Sequence, residues 1–342
     1  MTATEPTTAP APTERTLSYV MAFNEAVRQM MRDDESVFCA GEDIGAFGGV
    51  FGTYGGLQKE FGEKRVVDTP ISEQAIIGLG VGSAVTGLRP IVDIMFMDFI
   101  CVAMDQIVNQ AAKIKYMFGG SATVPLTITT AGGGGLSAAA QHSQSLEAIL
   151  CHIPGLKVVY PSNPYDMKGL MVSCIREDNP TVMVKNKRLL GMSGPVPEEL
   201  YSVPLGSAKV LRPGDAITIV TYGRMVAEAM KAADKLAEEG IECEVIDPRT
   251  LQPLDTDTIV TSARKTNRVM VVHEAVRFGG IGAEIAATVQ EEAFDYLDAP
   301  VARVAAPFSP VPFSPVLEAQ YFPSAKTIAA AARGLLGHPS GG

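Results

Sequence analysis

The chain carries no excess of positive charge. In 342 residues, 28 Lys+Arg stand against 38 Asp+Glu, a formal net charge of −10. A nucleic-acid surface needs clustered positive charge, so no such partner is expected. A cysteine framework is missing too. Cys39, Cys101, Cys151, Cys174 and Cys243 are scattered, odd in number and free of C-x-x-C spacing. They read as buried or free thiols in a reducing compartment, taken here as the cytoplasm, and not as disulfides or zinc ligands. No apolar run approaches the roughly 20 residues of a membrane helix, so no membrane association is expected. Residues 1–15 are Thr/Ala/Pro-rich and have no apolar h-region, which reads as a disordered tail and no secretory signal. His142, His152, His273 and His338 never stand in metal-ligand spacing with another His or Cys, so no transition metal is expected. There is no G-x-x-x-x-G-K-[ST]. Glycines 78, 80 and 82 follow G-x-G-x-G, not the dinucleotide spacing. They read sterically: Gly78 and Gly82, one turn apart, let another backbone or a ligand approach.

What is present is an apolar chain, 46% hydrophobic, long enough for about two domains at roughly 100–200 residues each. Strand and helix patterns alternate. Ser18 suits a helix cap, and Ala22, Ala26 and Met30 share a face behind it. Strands follow at 37–40, 66–67, 90–94, 124–130, 156–159 and 181–184, with helices between them near 74–86, 102–117, 143 onward and 164 onward. That alternation predicts an α/β fold with a doubly wound, mostly parallel sheet. A Pro/Gly cluster at 191–197 breaks both patterns and predicts a linker over 191–204. A second, smaller α/β series occupies 205–337, with strands at 216–220, 244–246 and 269–272. Its helices are expected near 225–239, 281–293 and 324–336, the last after a Pro-rich loop at 307–315.

Two side chains stand out. Glu73 ends the run Asp68-Thr69-Pro70-Ile71-Ser72-Glu73 at a helix entry, where a carboxylate is favoured by the helix dipole for purely structural reasons. The same position suits a carboxylate that protonates a ring nitrogen of a bound heterocycle. His142 follows Gly132-Gly133-Gly134-Gly135 in the run Ala140-Gln141-His142-Ser143-Gln144. Open α/β sheets bind ligands beyond strand ends, and a histidine among polar residues suits acid/base work. A helix-capping histidine would give the same pattern.

These runs, with Thr86-Gly87-Leu88-Arg89-Pro90, Ile153-Pro154-Gly155-Leu156-Lys157-Val158, Asp247-Pro248-Arg249-Thr250-Leu251 and Val311-Pro312-Phe313-Ser314-Pro315, carry a resemblance over residues 16 to 337. The chain resembles the β subunits of the thiamine-diphosphate-dependent E1 components of 2-oxo acid dehydrogenase complexes. Residues 95–99, 116–120, 162–166 and 311–318 make it most similar to the acetoin dehydrogenase branch.

The resemblance implies a pyrimidine-binding domain over 16–190 and a transketolase C-terminal-like domain over 205–337. It implies that Glu73 contacts N1′ of the cofactor's aminopyrimidine, that Ile71 lines the pyrimidine pocket, and that Phe99 packs on the pyrimidine ring. His142 would face the substrate and assist proton or acyl transfer. Leu126, Cys174, Glu177 and Asn179 fall where some relatives bind K⁺, Cys174 only through its backbone carbonyl. The family's diphosphate and Mg²⁺ signature, G-D-G followed by N-N, is absent; Gly214-Asp215 is followed by Ala216. The implied partners are therefore an α subunit that holds diphosphate and Mg²⁺ in an α2β2 tetramer, and the subunit-binding and lipoyl domains of an E2 acyltransferase. The implied reaction is cleavage of acetoin or decarboxylation of a small 2-oxo acid, with acyl transfer to lipoyl-E2. Pyruvate or branched-chain specificity and a non-catalytic E2-docking role are the alternatives. Many relatives carry Arg where this chain has Thr129, which predicts a smaller, uncharged wall near the substrate.

Overall fold

A computed structural model describes residues 15–337 of the chain. Residues 1–14 of the tail expected over 1–15, and His338, lie outside the described residues. Arg15 does not belong to that tail: its guanidinium donates to Glu25 at 2.7 and 2.8 Å and to the Pro197 carbonyl at 2.9 Å.

The first domain opens with β1 (Thr16–Ser18) and α1 (Tyr19–Asp33), where the Ser18 hydroxyl accepts from the Met21 N–H. Such a cap is worth about 1 kcal/mol. Then follow β2 (Val37–Gly41), α2 (Leu57–Phe61), β3 (Val66–Asp68), α3 (Glu73–Val85), β4 (Arg89–Phe96), α4 (Ile114–Met117), β5 (Thr127–Gly132), α5 (Glu147–Cys151), β6 (Lys157–Val159), α6 (Pro164–Arg176), β7 (Thr181–Asn186) and β8 (Ser193–Pro195). The sheet order is β6-β7-β5-β4-β2-β3, all parallel. Strands β2, β5 and β7 are buried at every residue, as expected of a parallel sheet covered on both faces. Helices α1 and α6 cover one face; α3, α5 and the segment 97–117 cover the other.

The expected helix at 102–117 is broken into a 3-10 stretch (Met97–Ala103), a π-helical stretch (Gln106–Ala111) and short α4. The steric reading of the glycines holds at another position. A Cβ on Gly80 would stand 2.7 Å from Leu126, whereas one on Gly82 would meet nothing within 4 Å. Gly80 is where α3 presses on the sheet.

The second domain has β9 (Lys209–Arg212), β10 (Ile217–Thr221), α7 (Met225–Ala237), β11 (Cys243–Asp247), β12 (Thr250–Gln252), α8 (Thr256–Thr266), β13 (Val269–Val276), α9 (Ile281–Ala293), β14 (Ala302–Ala306), α10 (Pro315–Tyr321) and α11 (Ala325–Leu335). Its sheet runs β14-β13-β10-β11-β9, with only β9 antiparallel. Helix α8 and strand β14 are additions to the sequence expectation.

The two domains are not separated at 191–204 as cleanly as composition implies. Within the linker, β8 pairs antiparallel with β1. Fully buried Lys168 donates to Glu25 Oε1 and to the carbonyls of Pro197, Glu198 and Glu199 at 2.7–3.0 Å. Strand β12 leaves the second domain and pairs antiparallel with β6, extending the first sheet. Arg249 anchors the crossing: its guanidinium reaches Asp166 and the Ser207 carbonyl, and its own carbonyl accepts from the Tyr160 N–H.

Candidate functional site

Parallel pairing puts the carboxyl ends of β3, β2, β4, β5 and β7 along one edge, where open α/β sheets bind ligands. Glu73, Glu42, Phe96 and Phe99, the glycine loop with His142, and Lys187 each follow one of those ends. One topological fact thus gathers residues spread over more than a hundred positions.

Glu73 is the first residue of α3 and half-buried. Its carboxylate makes no hydrogen bond or ion pair among the described residues, although a helix-start carboxylate is favoured there. Glu42, just past β2, stands near it. Burial raises the Glu42 pKa first, and the charges of Glu73, Asp43 and Asp93 raise it further, against an opposing Ser72 N–H. Glu42 was missed because the segment read only as a glycine-rich loop; its place one residue past an apolar strand was the available signal. Ile71 is 83% exposed, so it lines no pocket within this chain.

Phe99 and His142 come together. Their ring centroids lie 5.3 Å apart, edge to face, and Phe96 packs on His142 at 4.9 Å. The capping alternative for His142 fails, because α5 begins only at Glu147 with Leu146 at its cap. The half-buried ring makes no hydrogen bond among the described residues. The Lys187 ammonium holds the His142 carbonyl and lies over the Phe96 ring. Burial lowers the Lys187 pKa, while Asp98, Glu274 and Glu318 oppose that.

The glycine loop resembles an anion cradle, but the chain fills it itself. Gly134 N–H donates to Glu274 Oε1 at 2.6 Å. Gly135 and Ser137 N–H donate to the two Glu318 carboxylate oxygens at 2.7 and 2.8 Å. These amides are spent, and two buried carboxylates repel another anion. A diphosphate does not fit here. No local pattern reveals Glu274 or Glu318, since each acts on a backbone 140 or more positions away.

Two sequence expectations meet a different environment. Thr129 is fully buried and forms no wall. Its hydroxyl bonds Asp93 and lies 2.8 Å from the Tyr54 hydroxyl. Buried Lys185 donates to Asp93 at 2.6 Å and lies over the Phe23 and Tyr54 rings. The argument from Thr129 to substrate therefore falls. In the candidate K⁺ set, Glu177 accepts from Lys157 at 2.7 Å and from Asn179, whose Oδ1 accepts from Lys115 at 3.0 Å. The Leu126 and Cys174 carbonyls accept backbone N–H groups. With two ammonium groups on its side-chain ligands, the set does not fit K⁺ as it stands. Among the described residues no cluster of three or more His, Cys, Asp or Glu could hold a metal, all five cysteines are free, and no helix is long and apolar enough to cross a membrane.

Behind the glycine loop runs a buried polar chain. Asn186 Nδ2 donates to Glu274 at 3.0 Å and to Tyr160 at 3.1 Å; Tyr160 packs on Tyr222, whose hydroxyl donates to Glu147 at 2.8 Å. Burial pushes the Glu147 pKa up to about 7, with the Glu274 charge adding to the rise and Tyr222 opposing it. Cys151, on the same helix, and Tyr160 are further titratable neighbours. A raised carboxyl pKa means the folded state holds the proton more tightly than the unfolded one. The folded state's advantage is then complete below the ordinary carboxylate range and is lost as pH rises through 7. Glu147→Gln should match wild type near pH 4 and become the more stable by pH 8, by on the order of 3 kcal/mol. Thermal midpoints of both proteins across that range test it; a difference independent of pH would contradict the buried-acid account.

Comparison with known proteins adds the lineage. Residues 15–192 match the family "Transketolase, pyrimidine binding domain", and residues 206–328 match "Transketolase, C-terminal domain". The chain is 48% identical over 338 residues to the acetoin:2,6-dichlorophenolindophenol oxidoreductase subunit beta of Bacillus subtilis (strain 168), covering 95% of this chain and 99% of that one. It is 47% identical over 303 residues to the pyruvate dehydrogenase E1 component subunit beta of Rickettsia felis, covering 89% and 93%. A solved structure titled "Split gene transketolase, inactive beta4 tetramer" superposes with a TM-score of 0.77 at 23% identity, covering 94% of this chain and 98% of that one, which speaks to the fold alone.

Proposed function

We propose, since the chain belongs to the β subunits of the thiamine-diphosphate-dependent E1 components of acetoin and 2-oxo acid dehydrogenases, that it supplies the pyrimidine half of a cofactor site completed by an α subunit. The observation that supports this most is the contrast at the sheet edge. Among the described residues the Glu73 carboxylate is unpaired, whereas the cradle-like glycine loop at 132–135 is filled by Glu274 and Glu318. The chain can offer a heterocycle a carboxylate and an aromatic face. Its diphosphate and Mg²⁺ would be held by the partner chain, in an α2β2 assembly.

When bound, thiamine diphosphate supplies a nucleophilic carbon for cleaving a bond next to a carbonyl. In this reading Glu73 holds the proton at N1′. Its half-buried carboxylate, at the first residue of α3 and without a hydrogen bond among the described residues, is placed to exchange a proton there. Phe99 packs beside the pyrimidine, and Ile71, exposed in this chain, would be covered on assembly. His142 faces the substrate and assists proton movement or acyl transfer. The acyl acceptor would be the lipoyl domain of an E2 whose subunit-binding domain docks on the assembly. Five free thiols suit a cytoplasmic setting.

For substrate we favour acetoin. The relative named for acetoin and the sequence runs at 95–99, 116–120 and 311–318 carry that preference. A 2-oxo acid is the second reading, because the relative named for pyruvate dehydrogenase is only one percentage point less identical. The reconstituted α/β enzyme should reduce a dye with acetoin or pyruvate at higher kcat/KM than with 2-oxoisovalerate, acetoin leading. A branched-chain preference would overturn the substrate assignment.

A further inference from the structure

We propose that Glu318 is a positioning residue for the His142 loop, acting from the second domain on the transfer step; this rests on the reading of His142 given above. A loop that opens with four consecutive glycines has little intrinsic rigidity. It also holds strained backbone, with Ser137 at φ 52° and Ala139 at φ 58°. Something outside the loop must fix it.

The fixing comes from α10. Glu318 is 4% exposed, and both its oxygens are used: Oε1 takes the Gly135 N–H at 2.7 Å, and Oε2 takes the Ser137 N–H at 2.8 Å and the Ser137 hydroxyl at 3.3 Å. One turn further on, Phe322 presses on the same loop. A Cβ on Gly134 would stand 2.4 Å from its ring. The Arg224 guanidinium lies over that ring at 5.1 Å, tying α10 to the start of α7. Glu318, inside α10, and Phe322, the extended residue that caps its C-terminus, therefore grip the loop from the same element.

The far end of the loop is held separately. Gln144 donates to Asp98 through its backbone and side-chain N–H groups at 3.1 and 2.9 Å, and Lys187 holds the His142 carbonyl. Held at both ends, His142 has its ring set against Phe96 and Phe99. Glu318 spends its oxygens on amides and has none left to act on substrate. Releasing it frees the loop's first half while leaving Glu73, Glu42 and their strands untouched. The expected defect is selective: loss of alignment, which a misplacement of about 1 Å converts to a large rate loss, without loss of cofactor activation.

The test uses the reconstituted α/β holoenzyme with wild type, Glu318→Ala, Glu318→Gln, His142→Ala and the His142→Ala/Glu318→Ala double variant. Two rates are read: acyl transfer to an isolated lipoyl domain, and C2–H exchange of bound cofactor. Glu318→Ala should lower kcat for transfer by about tenfold or more, with exchange within about twofold of wild type. Glu318→Gln, which keeps one acceptor oxygen, should lie between. The double variant should be no slower than His142→Ala by more than about twofold, because one residue acts through the other. If Glu318→Ala does not assemble, Glu318→Gln carries the same comparison. Normal transfer in both Glu318 variants, multiplicative losses in the double variant, or equal loss of exchange and transfer would each overturn the proposal. If His142→Ala alone leaves transfer normal, the reading of His142 is wrong and the proposal falls with it.

Discussion

Replacing Glu73 with glutamine should slow C2–H exchange of cofactor bound to the α/β enzyme by about 10²–10⁴-fold, the range that a positioned acid/base contributes, and leave assembly intact. The substitution keeps size and shape. It removes no hydrogen bond or ion pair, because the carboxylate makes none among the described residues. What the fold loses is a favourable charge at the start of α3, worth about 0.3–1 kcal/mol at most exposed sites. That is too little to dismantle a domain. The chemical loss is of another order, since an amide cannot exchange a proton with N1′. Burial raises the Glu42 pKa most, and the substitution removes one of the charges that add to the rise, so Glu42 should titrate lower in the variant. Exchange would be read by proton NMR after acid quench, with size-exclusion chromatography as the assembly control. Unchanged exchange would return Glu73 to a purely structural place at a helix start.

Much of the frame was legible because it rests on local chemistry. Ser18, Asn163 and Ser324 cap helices as side chains of their type do, accepting the N–H groups of Met21, Asp166 and Thr327. The buried runs 37–40 in β2 and 182–184 in β7 read as central parallel strands because they are apolar without alternation. Glu73 and His142 were legible as types in suggestive places, and the resemblance gave them roles. What escaped was set by distant partners. Strand β12 joins the first sheet because Arg249 bridges Asp166 and the Ser207 carbonyl, and nothing in Thr250-Leu251-Gln252 announces that. Glu274 and Glu318 look like ordinary surface carboxylates until the fold brings glycine amides to them. Thr129 was misread for a related reason. Strand side chains alternate, and this one points into the Tyr54–Asp93–Lys185 cluster and away from the open edge. Helix α8, with Asp255 accepting the Thr258 N–H at its cap, carried a local signal that the polar run 255–258 obscured.

The other large expectation concerns the chain by itself: without an α partner it should be inactive and bind thiamine diphosphate poorly. Recognition of a diphosphate rests on charge-assisted hydrogen bonds, each worth about 1.5–3 kcal/mol, and on a metal ion. Here the candidate amides at Gly134, Gly135 and Ser137 are already taken by carboxylates, and the edge carries Glu42, Asp43 and Glu73. Losing even three such bonds weakens binding by about three or more decades, at 1.4 kcal/mol per tenfold. The pyrimidine contacts alone cannot restore that. The measurement is calorimetric titration of thiamine diphosphate with Mg²⁺ into the folded chain, alone and after assembly with a G-D-G…N-N α subunit. The shared-site account predicts no saturable binding tighter than about 1 mM for the chain alone and tight, stoichiometric binding once the α subunit is present. Tight stoichiometric binding by the isolated chain would contradict it.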